Sequence, residues 1–258
     1  MSGNSNRSRW LVRAEAAYRK AFVALYCNRT ESIQVAEFPK CGGSWIGGML
    51  SDLLQIDFPR NRFPQNRASI FHGHQLQRMP LKNVVVVWRD PRDVMVSWYH
   101  HAIVGNSHVQ PDFVSQCRKL SGIQCEEIGN VKENMNMFVK WCFDAPYSPK
   151  FSWCDFYDFW VDKDCHVVSY EEMRTSPTTA LQRLGEAISD RTFEPEEIQR
   201  VVDTHSFERK SGRQSGSEDK ASFLRKGVIG DWENHFDTAA LDTLMSRVGD
   251  RMEKLGYK

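Results

Sequence analysis

The sequence predicts an α/β fold, in which a central parallel sheet is flanked by helices in a single domain covering residues 1–258. Strand-like segments alternate with helical patterns along most of the chain. NVVVVW at 83–88 is a continuous apolar run, typical of a strand buried on both faces of a parallel sheet. The 258 residues, 41% hydrophobic and 26% charged, suffice for one globular domain. In such a fold we expect ligands at the carboxyl ends of the strands.

The first two strand–helix pairs have clear boundaries. SIQVAEF (32–38) is predicted to be a strand, and WIGGMLSDLLQ (45–55) is predicted to be the helix after it. The run at 83–88 is followed by the helical pattern DPRDVMVSWYHHAIV. There Asp90 suits the N-cap and Pro91 suits the first helical position.

A third pair and further helices follow. CHVVSY (165–170) is the third predicted strand, and Ser176 with Pro177 repeats the start signal for the helix SPTTALQRLGEAI. Helical patterns also occur in KENMNMFVKWCF, EPEEIQRVVDTHSF and TAALDTLMSRVGDRMEKLG. The rest of 105–150 is polar, aromatic and loop-rich. The Gly/Ser-rich, basic segment 209–231 predicts a long surface loop, which in a compact domain is often functional.

Residues 1–31 predict an N-terminal helical extension, because WLVRAEAAYRKAFVALY has the pattern of a basic amphipathic helix. This helix either packs on the domain or contacts a membrane surface. No run approaches the ~18 apolar residues of a membrane span, and the arginines argue against a signal peptide. The net charge of +1 argues against a nucleic-acid surface. Seven cysteines without a CxxC pair predict reduced thiols in a cytoplasmic protein.

The segment EFPKCGGSW (37–45) predicts a P-loop-like anion site. A strand that turns through Gly42 and Gly43 into a helix aims backbone N–H groups and a helix N-terminus at one point. Lys40 adds a charge and Ser44 adds a hydroxyl. The lysine precedes the glycines, unlike in a Walker loop, and no arginine follows Cys41 as a cysteine phosphatase would need. A glycine-rich packing turn is the alternative.

Two further cationic positions predict a ligand with more than one anionic group. Arg89 stands at the carboxyl end of the second predicted strand, and Ser97 follows eight residues later. The triplet Arg225–Lys226–Gly227 lies in the long loop. The alternative for Arg89 is a pairing with Asp90 or Asp93 at the start of the helix.

Four motifs in this order resemble the soluble, cytosolic type of sulfotransferase that uses 3′-phosphoadenosine 5′-phosphosulfate (PAPS). They are FPKCGGSW, WRDPRDVMVSWYHH, VVSYEEMRTSP and FLRKGVIGDWENHF, and FSWCDFYDFW adds to the resemblance. The resemblance covers about residue 33 to the C-terminus. It implies a single α/β domain that transfers a sulfuryl group from PAPS to a small-molecule hydroxyl or amine and releases 3′,5′-ADP.

The resemblance also implies roles for individual positions. Lys40, Cys41, Gly42, Gly43 and Ser44 match the loop that holds the 5′-phosphosulfate, and Trp45 matches the tryptophan that stacks on adenine. Arg89 and Ser97 match the pair that holds the 3′-phosphate. Further nucleotide contacts are implied for Tyr170, Phe207, Arg225, Lys226 and Gly227. The loop 209–231 is expected to be mobile and to cover the nucleotide.

The chain departs from the family pattern at several positions. Cys41 replaces the usual serine and Gly43 the usual threonine, so one hydroxyl ligand is lost. A thiol beside Lys40 at a helix N-terminus is either reactive or buried and inert. The place of the family's dimer motif is occupied by ENHFDTAALD, which puts that dimer mode in doubt and leaves the oligomeric state open. The segment before the Arg225–Lys226–Gly227 triplet is closer to bacterial than to animal enzymes.

The resemblance places the general base at His74, within FHGHQLQRMP, with His72 as the alternative. Lys40 is expected to neutralise charge on the oxygen that leaves the sulfur. An HxH pair could also bind a metal, since alternate strand residues share a face. No carboxylate or cysteine is expected to complete such a site, so no metal is predicted. Structural histidines are the remaining alternative.

Rival functions remain open at this point. A non-catalytic nucleotide-binding module would keep the anion loop but not the base, and a P-loop kinase would need a Walker lysine followed by a magnesium-binding Ser/Thr. A glycan sulfotransferase is a further alternative, although no membrane anchor is predicted. The aromatics at 151–160 suggest either a partly apolar acceptor pocket or core.

Overall fold

The computed structural model describes residues 8–26, 31–59 and 68–258. It confirms the predicted α/β class, because its strands form a parallel four-stranded sheet with the order β2-β1-β3-β4. The strands are β1 (Ile33–Glu37), β2 (Ile70–Gly73), β3 (Asn83–Trp88) and β4 (His166–Ser169). The three predicted strands are therefore confirmed, and β2 is an additional one.

Eleven α-helices are present in the described residues. They are α1 (Arg9–Tyr26), α2 (Gly43–Leu54), α3 (Pro91–Tyr99), α4 (Pro111–Ser121), α5 (Val131–Asp144), α6 (Trp153–Trp160), α7 (Tyr170–Thr175), α8 (Pro177–Ser189), α9 (Pro195–Thr204), α10 (Phe207–Ser211) and α11 (Thr238–Lys254). A π-helical turn, His100–Val104, continues α3, and short 3₁₀ turns lie at Cys125–Glu127 and Asp231–Asn234. All the helices predicted from sequence are found. The sequence did not predict α4, α6, α7 and α10.

The chain forms two compact units. The first consists of Met1–Trp88 and Lys163–Lys210, and the second of Arg89–Asp162 and Ser211–Lys258. The whole sheet lies in the first unit, together with α1, α2 and α7 to α9. The second unit contains the helices α3 to α6 and α11 and most of the loop 209–231.

In the first unit, α2 packs on β1, β2, α8 and α9. Every residue of β1 and β3 is buried, as a central pair of parallel strands requires. Gly185 allows α8 to approach α2 closely, because a Cβ there would lie 2.6 Å from the Leu53 side chain. These contacts fix α2 between the sheet and α8.

In the second unit, α11 packs on α5, α6 and α3. The large aromatics of α6, Trp153, Phe156 and Trp160, are almost completely buried. The sequence allowed either an acceptor pocket or core packing for residues 151–160. These three side chains pack in the core. Their spacing of three and four residues puts them on one face of the helix.

Helix starts follow the predicted signals, with one difference. Asp90 caps α3 by accepting a hydrogen bond from the Arg92 amide at 2.8 Å, with Pro91 next in the chain. Pro177 begins α8 as predicted, but the Ser176 side chain makes no capping hydrogen bond. The predicted N-terminal helix is α1, which exposes Trp10 and Leu25; residues 1–7 and 27–30 lie outside the described residues. In the described residues, no helix is long and apolar enough to cross a membrane.

Candidate functional site

The predicted anion loop joins β1 to α2 through two residues in left-handed conformation. Lys40 has φ 76° and Gly42, the N-cap of α2, has φ 98°. Such an angle is uncommon outside glycine, so Lys40 is held in a conformation that the surrounding structure must enforce. Ile46 donates to the Gly42 carbonyl at 3.1 Å, which starts the helix. The helix α2, whose N-terminus carries a partial positive charge, therefore begins three residues after Lys40 in the chain.

Glu37, the last residue of β1, forms the centre of a cluster that the sequence analysis did not anticipate. Its carboxylate is buried and accepts hydrogen bonds from the Gly43 amide at 2.6 Å and from Nε2 of His72 at 2.7 Å. Burial would raise the pKa of Glu37, but the His72 hydrogen bond and the nearby histidines outweigh it and lower the pKa to about 2. An ionised carboxylate can only accept, so Nε2 of His72 carries the proton.

The clustering follows from the alternation of side chains along parallel strands. Val35 of β1 pairs in register with His72 of β2. Residues two further along each strand face the same side, which aligns Glu37 with His74 and puts both beside His72. The signal available in the sequence was an acidic residue at the end of an otherwise apolar strand.

His74 is oriented by the backbone of β1. Its Nδ1 lies 3.2 Å from the Glu37 carbonyl oxygen. A carbonyl oxygen can only accept, so Nδ1 carries the proton and Nε2 of the neutral ring keeps its lone pair. The side chain is 39% exposed. Desolvation lowers the pKa of His74, as do the charges of His72 and Lys40, against the opposing effect of Glu37. A neutral, partly exposed imidazole with a free lone pair is suited to accept a proton.

The two loop glycines are required by their neighbours. A Cβ at Gly43 would lie 2.8 Å from Glu37 Cδ and 3.0 Å from His72 Nε2. A Cβ at Gly42 would lie 2.9 Å from the Tyr170 ring. The chain has Gly43 where the family usually has threonine. The Glu37–His72 pair explains this difference, because it leaves no room for a larger residue at position 43.

Trp45 and Tyr170 form an aromatic corner beside the loop. Their rings meet edge to face with centroids 5.8 Å apart, and the Trp45 indole N–H donates to the His205 carbonyl at 2.8 Å. Tyr170 begins α7 directly after β4. Phe207 begins α10 two residues after His205 and is buried. The first unit thus brings together the loop, the two histidines and both rings of this corner.

Cys41 is fully buried within the loop. This burial favours the inert interpretation of its thiol over the reactive one, because alkylation needs access. Cys125 is the exposed free cysteine among the described residues.

The expectation that nothing completes a metal site around the HxH pair is wrong. Glu37, His72 and His74 each offer one ligand atom, and these atoms all lie within 4.8 Å of one another. The sequence analysis missed Glu37 because it lies 35 residues before His72, and only the parallel pairing of β1 with β2 brings the two together.

In the second unit, Arg89 and the residues after the long loop converge on Asp93. The Arg89 guanidinium lies 3.9 Å from the Asp93 carboxylate, the pairing that the sequence analysis named as an alternative. The same carboxylate accepts hydrogen bonds from the Gly230 and Trp232 amides at 2.8 and 3.0 Å. Burial raises the pKa of Asp93, against the effect of Arg89. Ser97 lies one helical turn beyond Asp93 on the same side of α3.

Asp231 organises the Arg225–Lys226–Gly227 triplet. Its buried carboxylate accepts hydrogen bonds from Arg225, Lys226 and His235. Burial would raise the pKa of Asp231, but these donors lower it well below the usual range. Gly227 has φ 67°, which a side chain would rarely adopt. The second unit thus brings Arg89, Arg225 and Lys226 into one network of buried carboxylates.

A sequence model described as "Sulfotransferase domain" matches residues 72–256, a range that includes parts of both units. The anion loop lies before this range. The chain is 22% identical over 233 residues to cytosolic sulfotransferase 4 of Arabidopsis thaliana, covering 88% of this chain and 76% of that protein. It is 30% identical over 117 residues to human sulfotransferase 2A1, covering 40% of this chain and 41% of that protein.

Two solved structures share the fold. Retinol dehydratase in complex with androsterone and the inactive cofactor PAP superimposes with a TM-score of 0.60 at 16% identity, covering 92% of this chain and 85% of that one. Mouse sulfotransferase SULT7A1 complexed with PAP gives a TM-score of 0.59 at 16% identity, covering 92% and 90%.

Proposed function

The chain belongs to the sulfotransferase family, and from that premise we propose that it transfers the sulfuryl group of PAPS to a hydroxyl or amine of a small molecule, with His74 as general base. One observation carries the proposal. A lysine-containing loop at a helix N-terminus adjoins a histidine whose Nδ1 is bound to a backbone carbonyl. The arrangement supplies an anion site and a proton acceptor at the end of neighbouring strands.

The residues present fit a phosphosulfate at the loop. The positive end of α2 and the Lys40 ammonium favour an anion, and Gly42 keeps the backbone open beside Tyr170. Glu37 opposes an anion by its charge and already accepts the Gly43 amide, so Lys40 and the remaining amides of the loop would hold the anion. The two structural neighbours were solved with PAP. When bound, PAPS supplies the activated sulfuryl group.

His74 performs the proton transfer in this proposal. Nε2 would accept the proton of the acceptor hydroxyl or amine. The hydrogen bond from Nδ1 to the Glu37 carbonyl holds the ring in the required tautomer and stabilises the imidazolium that results. Lys40 would neutralise negative charge on the phosphate held by the loop. Both residues act from the same edge of the sheet.

We assign the nucleotide contacts by position. Lys40 to Ser44 would hold the 5′-phosphosulfate, and Trp45, Tyr170 and Phe207 would surround the adenine. Arg89 and Ser97, with the triplet at 225–227, would hold the 3′-phosphate. The Asp93 and Asp231 carboxylates support this second set by fixing the cationic side chains of the second unit.

The acceptor class rests on analogy. The neighbour named retinol dehydratase was solved with androsterone in one structure and with retinol in another. We propose a small-molecule acceptor and no nucleic-acid partner. Two relatives from Arabidopsis thaliana are named cytosolic sulfotransferases, which supports a cytoplasmic location.

The test is turnover with labelled PAPS against a panel of phenols, alcohols, amines and sugars. Thermal shift runs in parallel with 3′,5′-ADP and with ATP–Mg²⁺. We expect stabilisation by 3′,5′-ADP and label transfer to one acceptor class. Stabilisation by 3′,5′-ADP without any transfer would favour a non-catalytic nucleotide-binding module, and stabilisation by ATP–Mg²⁺ alone would contradict the proposal.

Arg89→Ala tests the 3′-phosphate assignment. Loss of a charge-assisted hydrogen bond should weaken 3′,5′-ADP binding by ~1.5–3 kcal/mol, whereas adenosine binding should hardly change. Calorimetry with both ligands measures the difference. An equal loss for both would show that Arg89 acts through its contact with Asp93 on the structure of the second unit.

A further inference from the structure

We propose that Glu37, His72 and His74 form a binding site for one transition-metal dication of the Zn²⁺ class. Each residue offers one ligand atom, and these atoms lie within 4.8 Å of one another. Glu37 ends β1, His72 lies in β2, and His74 directly follows β2, so the paired strands bring the three side chains to one edge of the sheet. Two imidazoles and one carboxylate are a ligand set that zinc uses when positions are left open for water.

The closest pair lies within reach of a shared ion. Nε2 of His72 and Oε1 of Glu37 are 2.7 Å apart, whereas two tetrahedral ligands that each lie ~2.0–2.2 Å from zinc are separated by roughly 3.3–3.6 Å. The two atoms would therefore have to move apart by less than ~1 Å to admit the ion. The other oxygen, Oε2, is held by the Gly43 amide at 2.6 Å. That hydrogen bond acts as the outer-shell contact that orients a ligating carboxylate.

His74 supplies the third ligand by a small movement. Its Nδ1 lies 4.0 Å from Oε1 of Glu37. This is longer than a shared ion requires, so the ring must approach and give up its hydrogen bond to the Glu37 carbonyl. The side chain is 39% exposed and has room to turn. The exposed side of the cluster leaves the remaining coordination positions to water.

Metal binding requires a proton to leave Nε2 of His72, and the two imidazole ligands set the metal preference. The proton on Nε2 of His72 must leave before this nitrogen can bind a metal; in a neutral ring it moves to Nδ1, and in a protonated ring one proton passes to solvent. Neutral imidazole binds Zn²⁺, Ni²⁺ and Cu²⁺ better than Mg²⁺ or Ca²⁺, which prefer oxygen ligands. The charge of Lys40, which acts on His74, opposes any dication and weakens binding.

Titration of the whole protein with Zn²⁺, and with Co²⁺ as a spectroscopic probe, tests the site. We expect one ion per chain, and visible Co²⁺ bands without the near-ultraviolet charge-transfer band that cysteine ligands produce. Glu37→Gln and His72→Asn should each weaken Zn²⁺ binding by at least the ~10–100-fold that loss of an outer-shell partner costs. His108→Asn, in an exposed loop of the second unit, is the matched control and should leave affinity unchanged.

The readouts keep the proposal separate from sulfuryl transfer, because metal binding is measured without PAPS or acceptor. Glu37→Gln preserves the shape of a buried side chain, and its circular dichroism melt shows whether it folds. If that variant is unfolded, His74→Asn, at a partly exposed position, carries the same expectation. Unchanged affinity in the folded variants, a cysteine-type Co²⁺ spectrum, or no binding at millimolar Zn²⁺ would each overturn the proposal.

Discussion

At the scale of single residues, the two histidines of the HxH pair have different partners. Nε2 of His72 is held by the Glu37 carboxylate, whereas Nδ1 of His74 is held by the Glu37 carbonyl. His72 is 13% exposed and His74 is 39% exposed. The more exposed ring with the free Nε2 is therefore the better proton acceptor, and the buried ring is the better support for Glu37.

His74→Ala should lower turnover by the ~10²–10⁴-fold that general base catalysis supplies, while 3′,5′-ADP affinity stays nearly constant. His72→Ala should cost much less in rate, because that ring contacts Glu37 rather than the proposed acceptor. Steady-state kinetics of both variants, with 3′,5′-ADP binding by calorimetry, measure the difference.

Kinetics of the two variants in the opposite order would contradict this assignment. If His72→Ala abolishes turnover and His74→Ala retains it, His72 is the base, with Glu37 as its carboxylate partner. Normal turnover of both variants with an acidic phenol but not with an alcohol would restrict base catalysis to poorly acidic acceptors.

Gly43→Ala should destabilise the protein by ~1–3 kcal/mol, the usual cost of overpacking a filled site. Its Cβ would lie 2.8 Å from Glu37 Cδ, and the buried pair of Glu37 and His72 has little room to shift. Denaturant unfolding measures the change. Gly129→Ala is the matched control, because a Cβ at Gly129 has nothing within 4 Å. Equal stability of the two variants would show that the Glu37–His72 pair can move aside.

At the scale of elements, the loop 209–231 is more ordered than its composition suggests. The Gly216 amide donates to the Lys226 carbonyl at 2.9 Å, and the Asp219 amide donates to the Arg225 carbonyl at 2.9 Å. The Arg213 guanidinium donates to the carbonyls of Ser217, Leu224 and Arg225. These bonds hold residues 213–219 beside residues 224–226. Its expected mobility and its cover over the nucleotide stay predictions.

Hydrogen exchange in 209–231 should slow when 3′,5′-ADP binds, because the triplet at 225–227 would gain phosphate contacts. Arg213→Ala should speed exchange through the unliganded loop, since three carbonyl contacts are lost. Mass spectrometry of both proteins, with and without nucleotide, measures both effects.

Arg209→Ala is the matched control for this loop, because Arg209 is exposed on α10 and its replacement should leave exchange unchanged. Confirmed nucleotide binding without slower exchange would refute the covering role. Unchanged exchange in Arg213→Ala would show that the guanidinium contacts are not what orders the loop.

At the scale of the whole molecule, the buried His100 makes stability depend on pH. In the described part of the chain, neither of its ring nitrogens has a hydrogen-bond partner. Burial, together with the charge of Arg225, lowers the pKa of His100 from its ordinary value of 6.5 to about 3. Between these values the unfolded chain binds a proton at this position and the folded chain does not. Stability from this group is therefore present at neutral pH and lost as the pH falls.

His100→Phe should flatten the acid side of the stability profile. One such group contributes a slope of up to ~1.4 kcal/mol per pH unit between about pH 6.5 and 3, and phenylalanine removes it. Removing two buried nitrogens without partners should also leave stability at pH 7 equal or higher. Thermal melts from pH 7 to 4 measure the slope, with the exposed His108→Phe as control. The same slope in His100→Phe and wild type would contradict the prediction.

In the segment that stands at the place of the family's dimer motif, Asp237 caps α11 by accepting a hydrogen bond from the Ala240 amide at 2.7 Å. This contact lies within one chain, and the oligomeric state stays open.

The sequence by itself determined the fold class, three of the four strands and the family. These depend on local signals: the apolar run of β3, the Asp90–Pro91 helix start, and motifs such as FPKCGGSW that are contiguous in the chain. It also placed the anion loop and the HxH pair, because each lies within a few residues. Short-range patterns are sufficient wherever the cause and its effect lie on one element.

Only the tertiary structure decided the partners of these residues. Glu37 and His72 lie 35 positions apart and meet because β1 and β2 pair in parallel, with Val35 opposite His72. The need for glycine at position 43 follows from that pair, and so does the proposed metal ligand set. The register of β1 with β2 joins two segments that are distant in the chain, so neither segment alone shows it.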